Sequence, residues 1–486
     1  MSWEPSFETA FHPKVVAMVG VSADSKHGDP WGPPRGYSIM SSYEQLGFQG
    51  HIYMVHPKAK EILGRKAYPS ISSIPEPVDL VVVSVPAEAL PGVLEDCITA
   101  NAKNVHVFTA GFEETGEAEL EELGQRVRQI ALRGGLRIIG PNCMGLYVPE
   151  SRIGPFDELS KESGVVSLIS QSGGHCNWFC HYAPNYGIRL SKAISFGNAY
   201  VMDSTDFLEY LAVDPETKII CMYLEGVKDG AKLLKQVRSI NRVKPVILWK
   251  AGLTESGSRA AASHTGSLAG QEAIWRAFFT QTGAIQVSSL EEMAEITMTF
   301  LHVKPPPGKR VAVLGLGGGS SVASADACNQ EGMEVPALTQ NTQSKLRKFF
   351  RLAGTSVKNP LDTGRSFSSL PLLKEVMELV ITDSEVDMLI VKPHLDVAHW
   401  AGPDHVDQVV NHLSNFCSNN SCGKPTVIVF DSLSNAPWER ELRAKLEIEL
   451  PDKGVAVYSS LAKASRALFK LSEYHRFQKK LAAEKQ

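Results

Sequence analysis

Short, wholly apolar runs rich in β-branched residues recur along this chain, each followed by a turn of small residues and then by an amphipathic stretch. A strand that faces water on one side alternates apolar and polar residues, whereas a strand covered on both faces reads as one continuous apolar run. Residues 15–19, 51–55, 78–85, 105–109 and 136–139 are runs of the second kind, separated by helix-like segments such as 113–132. They predict a parallel sheet of Rossmann type, covered by helices on both faces, over residues 1–150.

The pattern restarts after Pro149. Strands are expected at 165–169, 192–196, 218–224 and 245–250, with helices at 202–211 and 231–240, which makes a second doubly wound unit over 151–303. Lys304-Pro305-Pro306-Pro307-Gly308-Lys309 can continue neither helix nor strand, so 304–308 is expected to be a linker. Beyond it the same grammar runs a third time over 309–486: strands at 310–316, 386–392, 425–430 and 455–458, a helix at 321–332, and a final helix from Leu461, expected to be solvated. A length of 486 residues agrees with three domains of about 150 residues each. The predicted fold class is α/β, with three doubly wound domains in series.

Composition narrows the function. Hydrophobic content of 43% and charged content of 21% exclude a largely disordered chain. With 49 basic and 53 acidic residues, a net charge of -4 supplies no global field for a polyanion, so nucleic acid is not an expected partner. The eight cysteines are scattered without CxxC spacing and are expected to be reduced thiols. No uninterrupted apolar stretch approaches the roughly 20 residues of a membrane span. A cytoplasmic protein with no membrane association and no metal site of its own is expected.

Chemistry is expected at the strand ends, because open α/β sheets bind ligands at their carboxyl edges. In Ser263-His264-Thr265-Gly266-Ser267-Leu268-Ala269-Gly270 a histidine stands among small residues that leave room for a bulky charged group on its imidazole. That suits a phosphorylated histidine better than a metal ligand; a merely structural loop histidine is the alternative. A phosphohistidine needs one ring nitrogen free and the other held by an acceptor. Glu225, ending the strand at 218–224, is the candidate carboxylate, although a solvated loop glutamate would read the same way. Ser172-Gly173-Gly174 joins a strand to a helix N-terminus, where N–H groups and the helix dipole favour an anion. In the first domain Gly20-Val21-Ser22 lacks the glycine spacing of a dinucleotide site. The turn Ile139-Gly140-Pro141-Asn142-Cys143-Met144-Gly145 and the strand end Ser84-Val85-Pro86 are further candidates, with ordinary βα loops as the alternative.

These windows, with Lys58 in His56-Pro57-Lys58 and the late Asn359-Pro360-Leu361-Asp362, occur in the order found in the NDP-forming acyl-CoA synthetases. Over nearly its whole length the chain resembles the α subunit of ADP-forming acetate–CoA ligase, a relative of the succinyl-CoA synthetase α subunit. The resemblance implies a CoA-binding first domain, a succinyl-CoA synthetase-like phosphohistidine domain and a third, flavodoxin-like domain. It implies that His264 is transiently phosphorylated, that Glu225 orients it, and that Ser172, Gly173 and Gly174 cradle the phosphate. Gly20, Val21, Ser22, Lys58, Val85, Pro86 and Asn142 would line the CoA site. The implied reaction converts a carboxylate, CoA and ATP to acyl-CoA, ADP and phosphate through an acyl phosphate.

The chain departs from the family in the long loop at 26–36 and in Leu314-Gly315-Leu316-Gly317-Gly318-Gly319-Ser320, which replaces a Thr-Asn-x-Gly-Gly-Pro-Gly pattern. Neither GxxxxGK[ST] nor an ATP-grasp segment is present. The length is thus expected to be complete for an α subunit and too short for the whole enzyme, with ATP/ADP and Mg held by an ATP-grasp β subunit in a hetero-oligomer. A protein of this fold that binds or senses CoA or acyl-CoA without catalysis is the competing reading, and His264 with Glu225 argues against it. A nicotinamide dehydrogenase, resting only on the Rossmann-like start, is the weakest reading.

Overall fold

The computed structural model describes residues 7–21, 35–257, 259, 272–315, 317–350, 354–430 and 436–483. They contain three sheets. The first is built from β1 (Val15–Val19), β2 (His51–Val55), β3 (Glu61–Ile62), β4 (Arg65–Tyr68), β5 (Leu80–Val83), β6 (Asn104–Val107) and β7 (Arg137–Ile139). Its order is β3-β4-β2-β1-β5-β6-β7, parallel except for the β3–β4 pair. With that pair's outer strand set aside, this is the Rossmann order 3-2-1-4-5-6. Successive side chains of β1 go to opposite faces: Val16 and Met18 join one apolar cluster, Ala17 and Val19 another. Burial on both faces is why the strand reads as unbroken apolar sequence.

The second sheet holds β8 (Gly145–Tyr147), β9 (Val166–Ser170), β10 (Leu190–Ser195), β11 (Ile219–Leu224), β12 (Val246–Lys250) and β13 (Ile285–Val287), in the order β13-β12-β11-β9-β10-β8. The five strands from β9 onward follow the flavodoxin order 2-1-3-4-5, and β8 adds an antiparallel edge. The second sheet therefore begins before residue 150. The third sheet, β14 (Val311–Gly315), β15 (Leu361–Asp362), β16 (Met388–Val391), β17 (Thr426–Val429) and β18 (Val457–Tyr458), is wholly parallel and again of flavodoxin order.

The chain separates into two compact units, one of residues 1–184 and 189–290, the other of 185–188 and 291–486. In the first unit the two sheets share one apolar cluster, from Val16 and Met18 through Ile139 and Leu146 to Ile169, Met222 and Leu248. In the second unit the helix Leu290–His302 precedes the proline-rich stretch, so 304–308 lies inside that unit. Lys463 pairs with Glu295 at 2.8 Å, Lys470 with Glu292 at 2.5 Å, and Thr299 bonds the Tyr458 hydroxyl at 2.7 Å. The C-terminal helix Leu461–Ala483 departs from the expectation of a solvated element: Leu461, Ala464, Leu468 and Leu471 are buried in the same unit. Its apolar stripe has a partner, and each large apolar side chain it buries adds roughly 1.5–3 kcal/mol. All eight cysteines are free thiols. Among the described residues no helix is long and apolar enough to cross a membrane.

Candidate functional site

At the carboxyl edge of the first sheet, Gly20 ends β1 with φ of +91°. A Cβ there would stand 2.2 Å from the carbonyl oxygen of Ser84, so only glycine lets β1 and β5 end this close together. Val21 is buried beside it, and Ser22 lies outside the described residues. Val85 is half-buried and its carbonyl accepts a hydrogen bond from Thr109 Oγ1 at 2.8 Å; Pro86 is exposed. Lys58, beyond β2, is exposed, and its N–H donates to His56 Nδ1 at 3.1 Å. Asn142 follows the cis Gly140–Pro141 bond with φ of +54°, and its N–H donates to the Thr109 carbonyl at 2.9 Å. Those that are described all follow carboxyl ends of parallel strands, so one edge carries them.

The second sheet gathers its candidates on its own carboxyl edge. Ser172 caps the helix Gly173–Tyr182, its hydroxyl accepting the His175 N–H at 3.3 Å. Gly173 and Gly174 are the first two helical residues, whose N–H groups have no intrahelical carbonyl to meet. A Cβ on Gly173 would come within 2.8 Å of Met144 Cγ, whereas Gly174 is exposed. Glu225 directly follows β11 and is buried. Gln171 fixes the turn beneath it, because its Oε1 accepts the N–H groups of Glu225 at 2.8 Å and Gly226 at 2.9 Å. Tyr223 donates its hydroxyl to Glu225 Oε1 at 3.2 Å. Burial and this carboxylate together push the Tyr223 phenol up.

Lys250, the last residue of β12, donates its ammonium to the Glu225 carbonyl at 2.9 Å and lies 5.3 Å from the centre of the Trp275 ring. Burial lowers this lysine from 10.5 to about 8, against the pull of Glu225. The His175 ring stacks on Tyr223 at 4.4 Å. Cys176 is buried, in keeping with a packing role. His264 lies outside the described residues; the chain that leads to it leaves β12 at this edge, where the Ala251 N–H meets the Leu224 carbonyl at 2.9 Å.

The two edges meet. Asn198 and Tyr200, after β10, donate their N–H groups to the carbonyls of Pro141 and Gly140, each at 3.0 Å. The Asn142 side chain donates to Asn198 Oδ1 at 3.3 Å, and Asn198 Nδ2 to Glu114 at 2.8 Å. Gly197 (φ +50°) makes the approach possible, since a Cβ would lie 2.2 Å from the Asn142 carbonyl oxygen. Beside this seam a cleft of about 620 Å³ is lined by Gln171, Phe196 and Gly226 from one domain and by Gly124 and Arg128 from the other. Sequence reasoning missed Gln171, Tyr223, Lys250 and the Asn142–Asn198 link. Lys250 did carry a signal, a lysine closing an apolar strand, whereas the others depend on sheet order.

Residues 14–149 match the family described as a CoA binding domain, and 163–300 the succinyl-CoA ligase like flavodoxin domain. The chain is 35% identical to subunit α of ADP-forming acetate–CoA ligase II from Pyrococcus furiosus over 423 residues, 86% of this chain and 89% of that subunit. It is 36% identical over 384 residues to ADP-forming acetate–CoA ligase I from Archaeoglobus fulgidus, covering 79% of this chain but only 54% of that longer protein. Among solved structures, the dinucleotide-forming acetyl-coenzyme A synthetase 1 of Ca. Korarchaeum cryptofilum, in complex with phosphate and ADP, superposes with a TM-score of 0.81. That match has 30% identity and covers 98% of both chains.

Proposed function

Since this chain belongs to the ADP-forming acetate–CoA ligase family, we propose that it makes acyl-CoA from a carboxylic acid, CoA and ATP, releasing ADP and phosphate. The observation that carries the reading is the seam between the two carboxyl edges, with the Asn142 turn of a CoA-type sheet held against the Gln171–Glu225–Lys250 edge. A thiol delivered along the first edge and a phosphoryl group delivered along the second would meet there.

A carboxylate is a poor acyl donor because oxide is a poor leaving group. In the proposed sequence a His264 ring nitrogen attacks the γ-phosphorus of ATP, the bond to ADP breaks, and Glu225 holds the other ring nitrogen and balances the charge on the imidazole. The carboxylate of the acid then takes the phosphoryl group, freeing the imidazole and forming an acyl phosphate. The CoA thiol, losing its proton, attacks the acyl carbon and phosphate leaves. The first N–H groups of the helix Gly173–Tyr182, capped by Ser172, would stabilise the transferring phosphoryl group. Gly20, Val21, Ser22, Lys58, Val85, Pro86 and Asn142 would receive CoA.

ATP and its magnesium would be held by an ATP-grasp partner, in a hetero-oligomer acting in the cytoplasm. The test combines the chain with such a partner and γ-labelled ATP. Wild type should take up an acid-labile, base-stable phosphate and pass it to acetate and CoA, and His264→Ala should take up none. Turnover by His264→Ala would overturn the mechanism, and turnover by the purified chain alone would overturn the need for a partner.

A further inference from the structure

The cleft beside the seam holds two cations that the proposed reaction does not use. Arg128 reaches it from the helix Ala118–Gly134, and Lys228 from the turn after Glu225. Among the described residues Arg128 makes no hydrogen bond or ion pair. Lys228 donates to a carbonyl, that of Ala199, and its ammonium is held below its ordinary value first by burial and then by the neighbouring Arg128, against the pull of Asp203, Glu113 and Asp206.

Three carboxylates, Asp203, Glu113 and Asp206, act on Lys228 from nearby, and each also has a partner of its own. Glu113 accepts the Tyr200 hydroxyl. Asp203 caps the helix Ser204–Val213, accepting Thr205 N–H at 2.7 Å and its hydroxyl at 2.6 Å, while Asp206 pairs with Lys232 at 2.9 Å. Glu121 is the remaining carboxylate in the lining and is exposed. Two like charges sharing one wall repel each other until an anion comes between them, and a guanidinium beside an ammonium suits carboxylate or phosphate oxygens. Pockets of roughly 300–1,000 Å³ enclose molecules far larger than a two-carbon acid, so this cleft has room for a ligand that reacts at one end and is anchored at the other.

We propose that Arg128 and Lys228 form an anion subsite in this cleft, receiving a carboxylate or phosphate that a substrate carries away from its reacting group. The inference rests on the reading of the cleft as the place where acid and CoA meet. Two sources have this chemistry: the distal carboxylate of a dicarboxylic acid and a phosphate of CoA.

Calorimetric titration of the full chain separates them. Succinate is compared with butyrate, and CoA with dephospho-CoA, on wild type, Arg128→Ala, Lys228→Met and the control Arg126→Ala, which alters an exposed arginine outside the lining. Each cleft variant should weaken one anionic probe about tenfold, the scale of a lost charge-assisted contact, while Arg126→Ala leaves binding as it was. A loss confined to succinate identifies the acid as the source. A loss for CoA that dephospho-CoA does not share identifies the 3′-phosphate, and an equal loss for both identifies the diphosphate. The subsite is overturned if wild type binds neither succinate nor CoA, if every probe binds both cleft variants within twofold of wild type, or if butyrate weakens as much as succinate. Phosphate labelling of wild type is scored separately, so an unlabelled chain whose succinate or CoA binding still depends on Arg128 would sink the proposed reaction and keep the subsite.

Discussion

The second sheet buries a lysine at each end, and the two are held in opposite ways. Toward the amino ends of the strands, Lys192 is fully buried and its ammonium meets Asp214 at 3.0 Å, Glu216 at 2.5 Å and Ser191 Oγ at 3.2 Å. Asp214 also accepts the Thr217 hydroxyl at 2.6 Å, which in turn bonds Ser167 at 2.7 Å. One ammonium there is held by two carboxylates, the second of which also hydrogen-bonds Glu150. At the carboxyl edge Lys250 meets the carbonyls of Glu225 and Ala251 and the face of Trp275, with no ion pair among the described residues. One end of the sheet is a closed network that holds the fold. The other carries charge that its neighbours only partly answer, as a site for an anionic reaction requires.

Glu225→Gln tests that contrast most severely. Removing the carboxylate that would orient His264 should slow phosphate labelling by roughly 10²–10⁴-fold, the range expected of a positioned acid–base group. The Gln171 and Lys250 bonds to the backbone of residues 225 and 226 would survive, so the unfolding midpoint should barely move. Labelling at the wild-type rate would remove Glu225 from the chemistry and make the carboxyl edge as structural as the amino edge.

Lys192→Met should do the reverse. Stripping the cation from a buried carboxylate costs about 3–5 kcal/mol, so the denaturant midpoint should fall sharply. The fraction that stays folded should label at the wild-type rate. A loss of activity without a loss of stability would show that the two ends are not divided in the way proposed.

How much of this contrast could be seen in the sequence depends on what each part is made of. The strand cores were visible because burial on both faces leaves unbroken apolar runs, as in β1, β9 and β11. The two-residue strands β3 and β15 and the antiparallel β8 were not, because pairing partners rather than composition make them strands. Glu225 was found by its place after an apolar run. Gln171 was passed over because its role exists only when β9 and β11 lie side by side, 54 positions apart in the chain. The C-terminal helix shows the same limit: its apolar stripe was legible, but the surface that covers it was not.

The pH dependence of stability probes the lysines more gently. Lys250 titrates at about 8 in the fold against 10.5 when unperturbed. Between those values the unfolded chain carries a proton that the folded chain has released, so Lys250 makes stability rise with pH across that window. Below about pH 8 both states are protonated and the full cost of burying the charge is present. Wild type should therefore gain on the order of 1–3 kcal/mol from this residue between pH 8 and 10, and Lys250→Met should lose that increment. Parallel curves for the two proteins would mean that the Lys250 ammonium is answered as well as that of Lys192.

Ser172→Ala should have the smallest effect and shows best how the carboxyl edge is assembled. The hydroxyl accepts the His175 N–H at 3.3 Å and lies 3.0 Å from His175 Nδ1, so its loss frees both the first helical turn and the ring stacked on Tyr223. Loss of an N-cap costs about 1 kcal/mol, and thermal unfolding should register that much. Phosphate labelling should fall more than this stability loss accounts for, because the N–H groups of Gly173 and Gly174 would no longer be held in one direction. Ser172→Thr keeps an accepting oxygen and should recover both quantities together. If Thr restores stability without restoring labelling, the hydroxyl itself touches the phosphoryl group and does more than cap the helix.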